Sequence, residues 1–285
     1  MLLFVPDWFL ALVFFALGAI VGSFLNVVIY RLHTNKSLGG SSHCLSCGAT
    51  LSWFELIPLL SYVCLKGSCR HCGARITPRY FIVELLTGLS FVLVFKMFAS
   101  PALVPLYLVL FSLLIVVVLY DIRHTIIPDE LTLGVLVVSL ILIFTTHEGH
   151  SFGGFVVPSI WVPIGAIISS GFYAALWFFS KGKWIGLGDA KLAFPLGLLV
   201  SHSMGVGGAF SLIVWSFWIG AAVSILVLLV QHIFPKTGMV KKRRYLTIKS
   251  EIPFAPFLVA AFLLVYVYAI DVFLVTDGLL ALIGI

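Results

Sequence analysis

The sequence predicts an all-α fold: a polytopic membrane helix bundle of about eight transmembrane helices with a small cytoplasmic zinc-binding module. Three observations predict it. Hydrophobic residues make up 61% of the chain and charged residues only 10%, whereas roughly a quarter of an ordinary soluble domain is charged. Apolar stretches long enough to cross a bilayer recur along the 285 residues. The Lys and Arg residues gather in alternate connecting segments, as they do on the cytoplasmic side of membrane proteins. The net charge of +6 is therefore a topology signal and not a nucleic-acid signal.

Apolar spans are expected near 8–30, 80–99, 101–120, 129–145, 160–180, 188–203, 205–233 and 254–276. The start carries Asp7 in place of a basic region, and no small-residue cleavage site follows it. The first stretch is thus expected to stay as a helix and not to act as a cleaved signal. Eight spans put both termini on one side. The segments on the other side are 31–79, 121–128, 181–187 and 234–253. The first holds Arg31, Lys36, Lys66, Arg70, Arg75 and Arg79, and the second holds Arg123. Lys181 and Lys183 lie in the third, with Lys191 just beyond it. Lys236, Lys241, Lys242, Arg243, Arg244 and Lys249 lie in the fourth, which reads as a basic loop at anionic headgroups. Only Lys96 is left for the opposite face. Both termini are expected outside and the four basic segments in the cytoplasm. The stretch 51–65 is apolar but too short to span, and Glu55 and Pro58 interrupt it. It is expected at the interface or under the first cytoplasmic segment.

Cys44-Leu45-Ser46-Cys47-Gly48-Ala49 and Cys69-Arg70-His71-Cys72-Gly73-Ala74 repeat one pattern, C-x-x-C-G-A. Two such knuckles read as a four-thiolate zinc site formed by Cys44, Cys47, Cys69 and Cys72, although the pairs are slightly farther apart than usual. A pair of disulfides is the other reading, and the reducing cytoplasmic side argues against it. His43 and His71 are read as neighbours, because four cysteines complete a tetrahedral site. Cys64 is expected as a buried apolar residue.

Two acids carry the chemistry. Asp121 and Asp189 each sit where an apolar segment meets positive charge, in the strings Leu119-Tyr120-Asp121 and Gly186-Leu187-Gly188-Asp189. A carboxylate beside a membrane helix is costly and reads as functional by default. Two at one face can share a proton and activate a water, which is aspartic-protease chemistry. Each also has a structural reading: Asp121 paired with Arg123 or His124, and Asp189 paired with Lys191 or Lys183. Their common depth favours catalysis. Gly186 and Gly188 are read as leaving room for a peptide backbone. Asp129 and Glu130 read as first-turn acids of a helix. Asp7, Glu148, Asp271 and Asp277 read as solvated acids toward the outer face.

At these residues the chain resembles the type IV prepilin peptidases, membrane enzymes that combine a leader peptidase with an N-methyltransferase. The likeness runs from Gly22-Ser23-Phe24-Leu25-Asn26 through both cysteine pairs to Ile57-Pro58-Leu59-Leu60-Ser61-Tyr62. It goes on at Arg79-Tyr80 with Val83-Glu84-Leu85, at Asp121 with Ile127-Pro128-Asp129-Glu130-Leu131-Thr132, and at Gly186 to Leu192. Ile252-Pro253-Phe254-Ala255-Pro256-Phe257 closes it.

The resemblance implies removal of the basic leader of type IV prepilins or pseudopilins after a Gly, at the cytoplasmic face of the bacterial inner membrane. It also implies methylation of the new amino terminus with S-adenosylmethionine. Asp121 and Asp189 match the catalytic pair, and Gly186, Gly188, Lys191, Pro253 and Pro256 fall in its supporting motifs. The division implied is 1–30 as first transmembrane helix, 31–79 as zinc module and methyltransferase part, and 80–285 as the peptidase core. Prepilins and membrane lipids are the expected partners, and nucleic acid is not. The linker 34–42 lacks the family's common Pro-Arg-Ser, and Leu45 stands where proline is frequent. Glu84 reads first as a partner for Arg79 or Arg75 and second as a helper in methylation. A proton-coupled transporter, and a presenilin-type protease without methyltransferase activity, are the rival readings.

Overall fold

The protein is seen in a computed structural model that describes residues 6–32, 39–97, 100–146, 160–233 and 253–272. Among these residues there is no strand, only two isolated β-bridges. The chain forms two compact units, 1–116 and 117–285.

In the first unit, α1 (Asp7–Arg31) follows Pro6 and opens with the acidic Asp7. Its last residue is basic, so both ends complement the helix dipole. It packs on α3 (Arg79–Met97). The two backbones touch because glycines lie at the contact. A Cβ on Gly18 would lie 2.6 Å from the Thr87 carbonyl oxygen, and one on Gly22 would lie 2.8 Å from the Glu84 Cα. This is the small-residue packing expected where lipid removes the usual hydrophobic drive. Asn26 fastens the pair, donating from Nδ2 to the carbonyls of Gly22 and Tyr80. Trp8, Phe9, Leu12 and Ile20 of α1 are exposed, as lipid-facing residues are.

Between α1 and α3 lie the two cysteine knuckles, a 3-10 turn (Trp53–Leu56) and a five-residue helix α2 (Leu60–Cys64). The apolar 51–65 stretch is thus broken into short pieces, as Glu55 and Pro58 suggested. A capping box at Ser52 and Glu55 starts the turn.

α4 (Val104–His124) runs one turn past its expected end. Asp121 therefore lies inside the helix, and Thr125 closes it in the left-handed region with φ 54°. The second unit holds α5 (Asp129–Thr145), α6 (Trp161–Ser180), α7 (Leu187–Ile233) and α8 (Ala255–Phe262). α7 runs for 47 residues, but Gly205 breaks it with φ 67° and ψ −159°. The break falls where the sequence divides the 188–203 and 205–233 spans. α6 packs against both halves of α7. A Cβ on Gly165 would meet Ser201 and Ala209, and one on Gly197 would meet Ser169 and Ala166. Tyr173, Leu192, Leu196, Leu212, Leu258 and Phe262 fill the core.

Among the described residues five helices are long and apolar enough to cross a membrane: α1, α3, α4, α6 and α7. With α7 broken in two, and with α5 and α8 added, eight apolar helical segments stand at the eight expected places. The last is shorter than expected. A π-helical turn at Leu263–Val267 extends α8, and then Ala269 at φ 51° ends the ladder. Asp271 is also not simply solvated, since the Ser211 hydroxyl donates to it at 2.7 Å. Residues 234–250, with their six cations, and Lys36, Glu148 and Asp277 lie outside the described residues.

The glycine contacts make a testable contrast. Gly22→Val forces a side chain onto α3 backbone and should lower stability by about 1–3 kcal/mol, the usual cost of overpacking. Gly171→Ala enters open space and should leave stability equal or slightly raised, by up to about 1 kcal/mol. Helicity followed through a detergent unfolding titration reads both.

Candidate functional site

The second unit brings the two predicted acids into one buried neighbourhood. Asp121, in the last turn of α4, is 4% exposed. Its Oδ2 accepts the backbone N–H of Ala255 at 3.0 Å. Ala255 is the first residue of α8, so the carboxylate meets a free helix-end donor. Asp189, in the first turn of α7, is 7% exposed. Its Oδ2 accepts the Gly186 N–H at 3.2 Å, and its Oδ1 has no partner among the described residues. The two carboxylates lie close enough for their charges to interact.

The structure replaces several expected pairings. Lys191 does not pair with Asp189 but with Asp129, at 2.7 and 2.9 Å to the two carboxylate oxygens. The His124 ring stacks on Tyr120 with centroids 4.5 Å apart, and Asp121 accepts the Ala255 N–H. Both glycines also lie against the chain's own atoms. A Cβ on Gly186 would lie 3.3 Å from Asp189 Oδ2, and one on Gly188 would lie 3.1 Å from the Ile127 Cβ. Pro256 sits in the first turn of α8, where a missing N–H costs nothing, and Pro253 lies just ahead of that turn. The two prolines restrain the entry to α8 and so place the Ala255 amide.

Tyr173 is a neighbour that sequence reasoning missed. It is fully buried, shares a 2.6 Å hydrogen bond with Ser216, and interacts electrostatically with Asp189. Ala255 was missed as well, because a backbone donor 134 residues away leaves no side-chain signal.

The first unit holds the second cluster. Its two knuckles have the same construction. Cys44 N–H donates to Ala49, and Gly48 N–H donates back to Cys44, both at 2.9 Å. Cys69 N–H donates to Ala74 at 2.8 Å, and Gly73 N–H to Cys69 at 2.9 Å. Gly48 and Gly73 turn the chain at φ 71° and φ 70°. A bridge closes each loop, His43 to Thr50 and Ser68 to Arg75.

The four sulfurs of Cys44, Cys47, Cys69 and Cys72 lie within 4.8 Å of one another. Tetrahedral zinc with bonds of about 2.3 Å sets its sulfurs roughly 3.8 Å apart. Cys44 and Cys72 stand at 3.9 Å, so the cluster fits a tetrahedral metal ion. The backbone N–H groups of Cys47 and Ser46 hold the Cys44 thiol down at about 6. The Ala74 amide pulls Cys72 the same way, but desolvation and the three neighbouring sulfurs outweigh it and push Cys72 up to about 11. One sulfur thus carries charge readily while another resists it, the imbalance a divalent cation relieves.

Neither His43 nor His71 joins this cluster. Cys64 is exposed, contrary to its expected burial, because the short α2 leaves it on an open face. Glu84 corrects another expectation. It accepts the Leu59 N–H at 2.8 Å and a bond from the Ser23 hydroxyl, and it does not serve Arg79 or Arg75. Leu59 holds a left-handed backbone with φ 61°, so Glu84 fixes a strained turn of the cysteine module to α3 and α1. The Arg79 guanidinium lies over the Tyr80 ring instead, 5.3 Å from its centroid.

Comparison with known proteins adds the family. Residues 16–98 match the Bacterial Peptidase A24 N-terminal domain, and residues 108–235 match the Type IV leader peptidase family. A prepilin leader peptidase/N-methyltransferase of Myxococcus xanthus is 35% identical over 221 residues, covering 77% of this chain and 63% of that protein. The Vibrio cholerae protein of the same name is 33% identical, over 66% of this chain and 77% of its own length. That of Klebsiella pneumoniae is 34% identical, over 64% and 82%. No solved structure matches. With both halves matched in order and its acids, glycines and cysteines gathered as described, the chain belongs to the type IV leader peptidase family.

Proposed function

We propose that this protein is a leader peptidase and N-methyltransferase of the bacterial inner membrane, acting on type IV prepilins or pseudopilins. The observation that carries the peptidase half is the pair of buried, interacting carboxylates, Asp121 and Asp189, each steadied by one backbone amide. Two carboxyls in one site share a proton, because both cannot ionise together. One acts as base toward water while the other donates a proton to the scissile carbonyl. Hydrolysis after the leader's Gly leaves a free amino terminus, which is the nucleophile for methylation. S-adenosylmethionine supplies the methyl group. The family match favours neither the transporter nor a protease without the methyltransferase part.

Residues 31–79 are assigned to methylation and 80–285 to cleavage. Cys44, Cys47, Cys69 and Cys72 hold one zinc ion, a closed structural site that does not activate water. The cytoplasmic face carries the module and both acids, and the termini lie outside. The distribution of Lys and Arg supports this orientation.

Asp121→Asn and Asp189→Asn should each lower cleavage by at least about 10²–10⁴-fold. Asp129→Asn removes an exposed ion pair worth about 0–1 kcal/mol and should cleave nearly as the parent does. Mass spectrometry of a prepilin incubated with each purified, folded variant decides. Substantial turnover by Asp189→Asn would end the aspartic reading.

Replacing Cys69 and Cys72 with Ser should remove zinc from elemental analysis of the purified protein. Methylation of a pre-cleaved pilin should fall further than cleavage does. Zinc unchanged by the double substitution would refute the ligand set, and loss of cleavage with methylation intact would refute the division of labour.

A further inference from the structure

The first unit holds a partly open cavity of about 280 Å³ among α1, α3 and the cysteine module. That is near the lower end of the roughly 300–1,000 Å³ usual for small-molecule sites. Its walls carry a specific kind of polarity. Asn26, Glu55 and Glu84 line it, and all three are more than nine-tenths buried, at 2%, 7% and 8% exposed. Each is held by bonds to the fold. Asn26 Nδ2 donates to two carbonyls. Glu55 Oε2 accepts the Ser52 N–H at 2.8 Å, and Glu84 Oε2 accepts that of Leu59. Asn26 Oδ1 and Glu55 Oε1 are left buried with no partner among the described residues. Buried acceptors without donors are costly and point to a ligand that brings donors. Two buried carboxylates ask further for positive charge. Tyr62 and Tyr80 add aromatic rings to the lining, and Arg31, Arg70 and Arg75 add positive charge.

We propose that this cavity binds S-adenosylmethionine. The inference rests on the methylation activity proposed above and names the site that would serve it. The donor matches the mixed charge of these walls: a sulfonium and an ammonium for the carboxylates, a carboxylate for the arginines, hydroxyl and amino donors for the open acceptors, and a flat base. Glu55 and Glu84 meet its positive charge, Asn26 Oδ1 and Glu55 Oε1 accept its hydrogens, and a tyrosine ring takes the base or the sulfonium face. In the transfer, the amine lone pair of the cleaved substrate forms a bond to the methyl carbon, the carbon–sulfur pair returns to sulfur, and the nitrogen gives up a proton. Cys44 and Cys69 also line the cavity, so the metal centre shapes its wall. This explains how a closed zinc site without reactive water can still govern methylation.

The test uses the full chain purified in detergent with its zinc. S-adenosylhomocysteine is titrated by calorimetry, and methyl-labelled S-adenosylmethionine is cross-linked by ultraviolet light and located by peptide mapping. Glu55→Gln keeps an oxygen for the Ser52 N–H but removes the charge. It should bind the probe roughly tenfold more weakly, with zinc content unchanged as a check on folding. The label should fall within 23–31 or 42–84. Unchanged affinity in Glu55→Gln, or label confined to 117–285 in the parent chain, would overturn the cavity while leaving methylation standing. A parent chain that neither binds the probe nor methylates pre-cleaved pilin would remove both.

Discussion

One constraint organises this protein: a carboxylate placed among apolar helices must find a donor, and here the donor is a backbone amide. Asp121 takes the amide of Ala255, Asp189 that of Gly186, Glu84 that of Leu59 and Glu55 that of Ser52. A buried charge left alone costs several kcal/mol, and a hydrogen bond to a charged group returns about 1.5–3 kcal/mol. A single amide therefore offsets part of the cost, and Glu84 takes a second donor from the Ser23 hydroxyl. The second carboxylate oxygen stays unclaimed in two of them, Asp189 Oδ1 and Glu55 Oε1. Lysine or arginine partners would have neutralised these groups. Lys191 pairs with Asp129 and Arg79 lies over the Tyr80 ring.

Placing amides so exactingly requires close backbone contact, and the small residues supply it. Gly22 lets α1 lie against α3 beside Glu84, and Gly186 lets the chain turn in over Asp189. The same contacts explain why the second unit is built on a broken helix. A straight 47-residue helix would extend about 70 Å, more than twice the roughly 30 Å hydrocarbon layer. Gly205 interrupts it, and α6 packs small residues against both halves.

Much of this was legible in the sequence because it repeats or has a period. Apolar runs separated by charge located eight helical segments, and the doubled C-x-x-C-G-A string located a cluster whose sulfurs do converge. Asp121 and Asp189 stood out because charge is rare in such a chain. What stayed hidden was pairing across distance. Nothing in the string Phe254-Ala255-Pro256 shows that its amide reaches Asp121, and nothing near Glu84 shows that it holds Leu59. Charge proximity in sequence suggested Arg79 for Glu84 and Lys191 for Asp189, but helix geometry turned those side chains to other partners. Cys64 misled for a related reason. Its apolar neighbours suggested burial, while a five-residue helix has too little length to cover its own faces.

The two chemistries differ in what they ask of water, and the two units answer differently. In the proposed scheme hydrolysis takes one water between two carboxyls, and Asp121 and Asp189 lie at helix ends, each with an amide donor. Methyl transfer needs water kept from the donor while an amine enters. The proposed site for it is a cavity lined by residues of α1, α3 and the cysteine module. The order of reaction follows from bonding alone. The amine that accepts the methyl group does not exist until the peptide bond is cut, so in the proposed scheme the second unit must act before the first.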